Sequence, residues 1–178
     1  MRIRRLAPSD WTLLREVRLA SLADSPEAFG STYARELAFD EAEWRRRARS
    51  GAWYVAADDW SGDGSDDRPG DGSDGRSDHS AAGIVAGYHD AESSEQRRDL
   101  IAMWVAPQAR GTGLAADLVG AVVCWARTEG ATELTLGVAE GNDRARAFYL
   151  RCGFVPTGES FPLHSESSRN MDIYRLPL

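Results

Sequence analysis

The stretch QARGTGLAAD, residues 108–117, follows the apolar run LIAMWVAP and precedes a long helical pattern. Gly111 and Gly113 carry no Cβ, so the backbone there can approach a ligand closely. The first N–H groups of a helix have no acceptor within it and lie at the positive end of its dipole, which favours anions. Arg110 adds a positive charge and Gln108 adds an amide. The stretch therefore indicates either a backbone cradle for phosphates or a tight turn without a ligand.

Two familiar phosphate-binding loops do not account for this stretch. The loop of nucleoside triphosphatases requires a Lys after its last glycine, and none is present here. The dinucleotide-binding fingerprint is matched formally by Gly111, Gly113 and Ala116, but residues 107–110 separate them from the preceding strand. Too little chain follows the next predicted strand to complete a doubly wound sheet. A phosphate-bearing cofactor in a different fold and a tight turn without a ligand are the remaining interpretations.

The rest of the chain alternates between predicted strands and helices. Apolar periodicity and capping residues predict helices over WTLLREVRLASLA, EAEWRRRARS, GLAADLVGAVVCWARTEGA and NDRARAFYLRCG. Strands are predicted for IRRLA, WYVAAD, AAGIVAGYHD, DLIAMWVAP, ELTLGVAE, FVPTG and NMDIYRLPL. This order predicts an α/β fold of the α+β type, with a mostly antiparallel first half and a parallel strand–helix–strand unit over residues 100–140.

Residues 59–80 form a segment rich in Gly, Ser and Asp within a single predicted domain, 1–178. The segment contains seven Asp and two Arg, a net charge of −5, which leaves −2 of the total −7 for the other residues. It has almost no apolar side chain to bury, so we expect a disordered insert. A calcium-binding loop of the EF-hand type is the alternative, but the required Glu and the flanking helices are missing.

The bulk properties exclude several classes of function. The acidic balance argues against nucleic-acid binding, and no apolar run reaches the roughly 18 residues that a membrane span requires. The N-terminal residues lack the apolar core of a signal peptide, and two cysteines make no disulfide framework, so a cytoplasmic protein is expected. The three histidines show no metal-ligand spacing, so no metal is expected.

A second set of spaced residues lies in EGNDRARAFYLRCGF, residues 140–154: Asn142, Ala145, Phe148, Tyr149, Gly153 and Phe154. Together with the Gln-x-x-Gly-x-Gly loop after an apolar strand, this spacing resembles the acyl-CoA site of the GNAT N-acetyltransferase superfamily. The early DSPEAFGSTYARE is similar to an acceptor-side segment of many bacterial members, so the resemblance covers nearly the whole chain apart from the insert. It implies a mixed, mostly antiparallel sheet of six to seven strands flanked by about four helices.

The resemblance also implies an enzyme that transfers the acetyl group of acetyl-CoA directly to a primary amine. The amides of residues 111–115 would hold the pyrophosphate, and the backbone of residues 103–105 would pair with the pantetheine arm. Val105 would offer an N–H to the thioester carbonyl, and Asn142 would cap its helix in addition to reaching the cofactor. The residues that the resemblance assigns to the cofactor are Met103, Trp104, Val105, Gln108, Arg110, Gly111, Thr112, Gly113, Leu114, Ala115, Asn142, Ala145, Phe148 and Tyr149.

Tyr149 is the candidate catalytic acid. An amine attacks only when it is neutral, and a lysine-like amine has a pKa of about 10.4, so a base or a water chain must take its proton. The departing thiolate needs a proton donor, which a tyrosine hydroxyl about 3 Å away can provide. Adjacent helical residues point about 100° apart, so Phe148 is expected to face the core and Tyr149 the cleft. The alternative is a half-buried core tyrosine.

The acceptor side is less well determined. The resemblance implies an acceptor pocket lined by Phe29, Tyr33 and Glu36. Some relatives place a carboxylate on the strand before the loop, but LIAMWV is entirely apolar, and Asp99 at its start is expected to lie too far away. Glu36, Asp90 and Glu92 are candidate bases that would otherwise be solvated charges, and a water relay is the alternative.

Two other functions remain open. A CoA-binding sensor that has lost catalysis fits the apolar LIAMWV, and a longer acyl-CoA donor would depend on the side-chain bulk at Met103 and Trp104. The identity of the amine acceptor does not follow from the fold, and a homodimer is left open.

Overall fold

The computed structural model describes residues 1–57, 81–163 and 169–178, so the predicted insert at 59–80 lies outside the described residues. The strands are β1 (Arg2–Arg5), β2 (Gly51–Ala57), β3 (Ala81–Tyr88), β4 (Arg97–Val105), β5 (Glu133–Ala139), β6 (Val155–Pro162) and β7 (Asn170–Pro177). The α-helices are α1 (Trp11–Asp24), α2 (Tyr33–Leu37), α3 (Glu41–Ser50), α4 (Leu114–Thr128) and α5 (Asp143–Arg151).

The described strands form one sheet in the order β1-β2-β3-β4-β5-β7-β6. Every neighbouring pair is antiparallel except β4 and β5, which are parallel and joined through α4. This mixed, mostly antiparallel sheet confirms the predicted fold. The predicted number of helices was about four, and the structure has a fifth, the short α2. Its signal is Thr32, whose hydroxyl accepts the N–H of Arg35 at 3.2 Å and so caps the helix.

The two faces of the sheet are covered by different helices because the side chains of a strand alternate between faces. Trp53 and Ile84 pack with α1 and α3, whereas Ala52 and Val85, their neighbours in sequence, pack with α4. The predicted apolar residues of β5, Leu134, Leu136 and Val138, are all buried on the side of α4. The predicted cap of α3 is also present, since the Asp40 carboxylate accepts the N–H of Glu43 at 2.8 Å.

A bulge interrupts β4 where it lies beside β3. Trp104 is paired with Ile84 and Ile101 with Ala86, so two residues of β4 face one residue of β3. Ala102, within this bulge, has a φ of 57°, a left-handed conformation that is uncommon for a residue with a Cβ. The bulge therefore bends β4 midway along its length.

Strands β4 and β5 are paired over only three residues. The pairs run from Arg97 with Glu133 to Asp99 with Thr135, whereas β5 continues to pair with β7 as far as Ala139. Beyond Asp99, no pairing joins the two strands in the part of the chain that the structure describes. The sheet therefore opens into a fork, with β4 on one side and β5 on the other.

Candidate active site

A cleft of about 1050 Å³ lies at this fork. Its walls include Leu100 to Met103 of β4, Thr135 to Ala139 of β5, and the start of α5. On the far side it is bounded by the segment after α1 and by the C-terminal end of α3. The cleft thus brings together part of β4, most of the predicted residues of α5 and part of the predicted acceptor segment, which are widely separated in sequence. The residues of the glycine loop, 108–115, are not part of its wall.

The edge of β4 that faces the fork carries free backbone groups. Ala106 donates its N–H to the carbonyl of Ala82 at 2.8 Å, so these two residues form a hydrogen-bonded pair between β4 and β3. Because hydrogen-bonded and non-hydrogen-bonded pairs alternate along antiparallel strands, the next pair, Val105 with Gly83, exchanges no hydrogen bonds. The N–H and C=O of Val105 therefore point away from β3, toward the fork. The Val105 carbonyl accepts a hydrogen bond from Nε of Arg110 at 3.0 Å, so the N–H is the group that remains for a ligand.

The side chains of Met103 and Trp104 lie on opposite faces of the sheet. Met103 packs against the core beside α4 and lines the cleft. Trp104 is buried among residues of α1, and its indole N–H donates to the Asp24 carboxylate at 2.8 Å. The bulk of Trp104 is therefore turned away from the cleft, and only its backbone is available to a cofactor there.

The glycine loop presents a row of N–H groups without acceptors. Gly111 and Gly113 have φ values of 84° and 94°, and no other atom lies within 4 Å of the position that a Cβ would take at either. Among the described residues, the backbone N–H groups from Gly111 to Ala115 have no acceptor, because α4 begins at Leu114 and its first turn has no preceding carbonyls to bond. The hydroxyl of Thr112 donates to the Ala109 carbonyl at 2.8 Å, which holds the loop closed. This arrangement leaves a row of N–H groups open to an anion, and the phosphate cradle stays a prediction.

The side chains beside the loop have other partners than the predicted phosphate. Arg110 donates to the Asp24 carboxylate as well as to Val105, and so ties the loop to the end of α1. Hydrogen bonds from Trp104 and Ser25, together with Arg110, outweigh burial and lower the pKa of Asp24. Arg110 thus positions the loop in this structure, and Gln108 is exposed.

Helix α5 contributes three residues to the cleft. Asn142 caps the helix, because its Oδ1 accepts the N–H of Ala145 at 3.1 Å, and both residues line the cleft. Tyr149 also lines the cleft, but it is 94% buried and packs edge-on against Phe154, with ring centroids 5.6 Å apart. Its hydroxyl makes no hydrogen bond among the described residues, and burial raises its pKa well above the ordinary value of a tyrosine.

Tyr149 lines the cleft as expected, whereas Phe148 is less buried than expected. Phe148 was expected to face the core, but it is only half-buried and is not part of the cleft wall, whereas Tyr149 is both buried and at the cleft. The ring centroids lie 5.1 Å apart, so Phe148 packs on the outer side of Tyr149. The sequence gives no signal for this, because α5 packs on the core at its C-terminal end, against Phe154 beyond the helix.

The predicted acceptor residues divide into two groups. Phe29 and Glu36 line the cleft, whereas Tyr33 is 42% exposed and lies outside the cleft wall. Glu36 is completely buried, which corrects its interpretation as a solvated charge. Arg18 binds it through Nε at 3.1 Å and Nη2 at 2.9 Å, and Nη1 of Arg47 lies 3.2 Å away.

The environment of Glu36 argues against a role as general base. Burial raises the pKa of Glu36, but the hydrogen bonds and charge of Arg18, with the charge of Arg47, outweigh this effect and lower it below the ordinary value. A carboxylate that is held ionised by two guanidinium groups is a weak proton acceptor. Arg18 was missed by the sequence analysis, although an arginine between Leu14 and Leu22 on the apolar side of α1 marks a buried charge.

The other carboxylates differ in their access to the cleft. Asp90 and Asp99 line it, and Glu92 is exposed outside its wall. Asp99 was expected to be remote, but it lies where the fork begins. Its carboxylate is held by Arg97 at 3.2 Å and by the Thr135 hydroxyl.

Within residues 1–57, 81–163 and 169–178, no group of three or more His, Cys, Asp or Glu side chains is placed to hold a metal ion. In the same ranges, no helix has the length and apolar character needed to cross a membrane.

The sequence matches the acetyltransferase (GNAT) family over residues 18–154, and the chain belongs to this family. N-acetyltransferase 8F1 of Rattus norvegicus is 34% identical over 87 residues, which are 48% of this chain and 39% of that protein. The chain thus matches less than half of the length of this curated relative.

Solved structures support the same fold. A putative acetyltransferase from Salmonella typhimurium, determined with its cofactor acetyl-CoA, has a TM-score of 0.67 at 16% identity and covers 100% of this chain and 94% of its own. An acetyltransferase of the GNAT family from Streptococcus pneumoniae has a TM-score of 0.70 at 19% identity, with 99% and 98% covered. At such identities the likeness establishes the fold alone.

Proposed function

We propose that this acetyltransferase moves the acetyl group of acetyl-CoA directly to a primary amine. The observation that carries the proposal is the fork between β4 and β5, which leads from the free edge at Val105 to the N–H groups of Gly111 to Ala115. An extended ligand with amides in the middle and a pyrophosphate at one end requires these two features in this order. Acetyl-CoA has that chemistry.

The chain offers a separate contact to each part of this donor. The five N–H groups at the start of α4 bind the pyrophosphate, aided by the helix dipole. The free edge of β4 pairs with the pantetheine amides as it would with an added strand. The N–H of Val105 polarises the thioester carbonyl, and its fixed direction avoids a reorganisation cost when negative charge develops on that oxygen.

Transfer requires no covalent intermediate with the protein. The amine nitrogen forms a bond to the carbonyl carbon, the carbon–sulfur bond breaks, and the electron pair leaves with sulfur. Tyr149 donates its hydroxyl proton to that sulfur and regains a proton from solvent afterwards. The amine loses a proton toward the polar mouth of the cleft near Asp90 and Asp99, directly or through water.

The environment of Tyr149 supports its role as the donor. The side chain is buried and its hydroxyl has no protein acceptor among the described residues, so it is free to donate to the sulfur. Burial raises the pKa of the hydroxyl, which keeps the proton in place throughout the neutral range but also makes the hydroxyl a weaker acid, so geometry and not acidity supports this role. The protonated Tyr149 hydroxyl, which has no acceptor in the described protein, can therefore donate a hydrogen bond to the sulfur as negative charge develops there.

The test is the rate of CoA release from acetyl-CoA with a panel of amines, measured for the wild type and for Tyr149→Phe. Loss of a catalytic acid is expected to lower kcat by a factor of about 100 or more. Tyr54→Phe is the matched control, because Tyr54 is half-buried on β2 and outside the cleft wall. Acetyl-CoA should raise the Tm of all three proteins equally, since Tyr149→Phe removes only the hydroxyl.

Each outcome separates the competing interpretations. Equal kcat in Tyr149→Phe and wild type removes Tyr149 from the mechanism. Protection by acetyl-CoA without turnover of any amine favours the CoA-binding sensor. Faster turnover with a longer acyl-CoA than with acetyl-CoA changes the donor and leaves the transfer chemistry intact.

A further inference from the structure

The acceptor end of the cleft carries a cluster of charged residues, which we call the arginine cluster: Arg18, Glu36, Glu43, Arg46 and Arg47. Arg18 and Glu36 are buried, whereas Arg46 is exposed. The three arginines and Glu36 form part of the cleft wall. Arg46 and Arg47 are bound by Glu43 on the same helix, and Arg18 and Arg47 by Glu36. Three arginines and two glutamates leave the cluster with one uncompensated positive charge.

Arg18 is the member with unused hydrogen-bonding capacity. Its side chain is 93% buried, and Glu36 occupies only Nε and Nη2. Nη1 is buried and has no hydrogen-bond partner among the described residues. The ring of Phe29 lies over the guanidinium at 4.5 Å and fixes its plane. A buried N–H group without an acceptor is costly, so an acceptor supplied by a ligand at this wall is strongly favoured.

We infer that the acceptor is a primary amine that also carries a carboxylate, which binds the arginine cluster through Nη1 of Arg18. This inference rests on the proposed transfer to an amine and specifies the class of the acceptor. A single negative charge neutralises the cluster, whereas a phosphate, with a charge of about −1.5 to −2, would overcompensate it. Guanidinium and carboxylate groups form short charge-assisted hydrogen bonds, so a carboxylate suits this wall.

The strand register places this cluster beside the fork. Gly51, directly after α3, is paired with Tyr88, which is paired with Asp99 at the start of the fork. Two strand spacings separate Gly51 from Asp99, a distance of about 10 Å. The arginine cluster and the start of the fork therefore belong to the same cleft, so an acceptor held by its carboxylate at the cluster lies in the cleft that receives the donor in the proposed function.

The experiment compares three acceptors with the same side chain. They are an amino acid, its carboxamide, and the corresponding amine in which hydrogen replaces the carboxylate. For the wild type, kcat/KM is expected to be at least about 10-fold higher for the amino acid than for the other two, the usual effect of a hydrogen bond to a charged group. Arg18→Lys keeps the positive charge beside Glu36 but removes the guanidinium Nη1. In this variant the preference is expected to fall below threefold (~0.6 kcal/mol), because kcat/KM falls more for the amino acid than for the amine lacking a carboxylate.

Two further variants control for charge and for folding. Arg45 is on α3 beside Arg46, but it pairs with Glu41 and is not part of the cleft wall. Arg45→Met should therefore retain the full preference for the amino acid. Arg18→Met combined with Glu36→Gln removes both buried charges together and replaces Arg18→Lys if that protein does not fold. The inference is overturned if the wild type has the same kcat/KM for the amide, or for the amine lacking a carboxylate, as for the amino acid.

A failure of the proposed transfer gives a different result. If no amine releases CoA, binding is measured instead, as the rise in Tm that the N-acetyl amino acid and its amide produce in the presence of CoA. A rise that requires the carboxylate and disappears in Arg18→Lys supports the inference without the transfer reaction. Equal rises with both compounds, or none, overturn it.

Discussion

Replacement of Glu36 by Gln removes the negative charge that faces two guanidinium groups inside the protein. Glu36 is fully buried, and the side chain of Arg18 is 7% exposed. Gln has nearly the same shape and keeps one carbonyl acceptor, so the change leaves packing intact and tests charge alone. The remaining carbonyl oxygen can accept from Arg18 but cannot neutralise it.

The expected loss of stability follows from burial. Removal of one partner of a buried ion pair costs about 3–5 kcal/mol, because the other charge stays buried without compensation. The retained acceptor places Glu36→Gln near the lower end, about 3 kcal/mol. For a domain of this size, that corresponds to a fall in Tm of about 6–12 °C.

Glu43→Gln is the matched control for this measurement. Glu43 also binds Arg47, at 3.3 Å, but its side chain is 23% exposed and its pairs lie on the surface of one helix. Surface pairs contribute under about 1 kcal/mol, so the variant should lose less than that. Urea unfolding at neutral pH compares the two free energies of unfolding. A loss below 1 kcal/mol for both variants would refute the reasoning that burial makes the Glu36 charge essential.

The dependence on pH gives a second measurement of the same charge. The pKa of Glu36 is lower in the folded protein than the value of about 4.3 in the unfolded chain. Its contribution is therefore complete above pH 4.3 and is lost as the pH falls through the folded-state pKa. The difference in the free energy of unfolding between wild type and Glu36→Gln should be constant near neutral pH and shrink in acid. A difference that grows on acidification contradicts the assignment.

Three further predictions concern the glycines and the pH profile. In Gly87→Ala the new Cβ would lie 2.2 Å from ring carbons of Trp125, so the free energy of unfolding in urea should fall by about 1–3 kcal/mol. In Gly120→Ala the new Cβ meets no atom within 4 Å, so the free energy of unfolding should rise by about 1 kcal/mol. Equal effects of the two variants would contradict the packing at Trp125. Gly113→Ala places a Cβ at a φ of 94°, so it should lose about 1–2 kcal/mol and reduce the rise in Tm that acetyl-CoA produces, as measured by thermal unfolding. Burial raises the pKa of Tyr149, so its hydroxyl stays protonated below about pH 10. Up to that pH, the profile of kcat against pH should therefore have the same shape in the wild type and in Tyr149→Phe.

The backbone features of the candidate site were predictable from the sequence. Glycines at a helix start indicate free N–H groups, and Asn before a helix indicates a cap, because both effects are local. Side-chain partners were not predictable in the same way. Arg110 was predicted to contact the cofactor, and its contact with Asp24, 86 positions earlier, was not predicted, because the end of α1 packs beside the loop only in the folded chain.

The sequence by itself determined the order of the strands and of the four longer helices, the antiparallel and parallel pairing, and the glycine loop with its free N–H groups. These depend on the spacing of apolar residues and on glycines, which act over a few positions. Tertiary structure alone decided that β4 and β5 separate after Asp99, that Tyr149 rather than Phe148 is buried at the cleft, and that Glu36 is enclosed by Arg18 and Arg47. Each of these depends on which distant segment packs beside a residue. The environment of the Glu36 carboxylate and of the Tyr149 hydroxyl is set by that packing and not by the residue type.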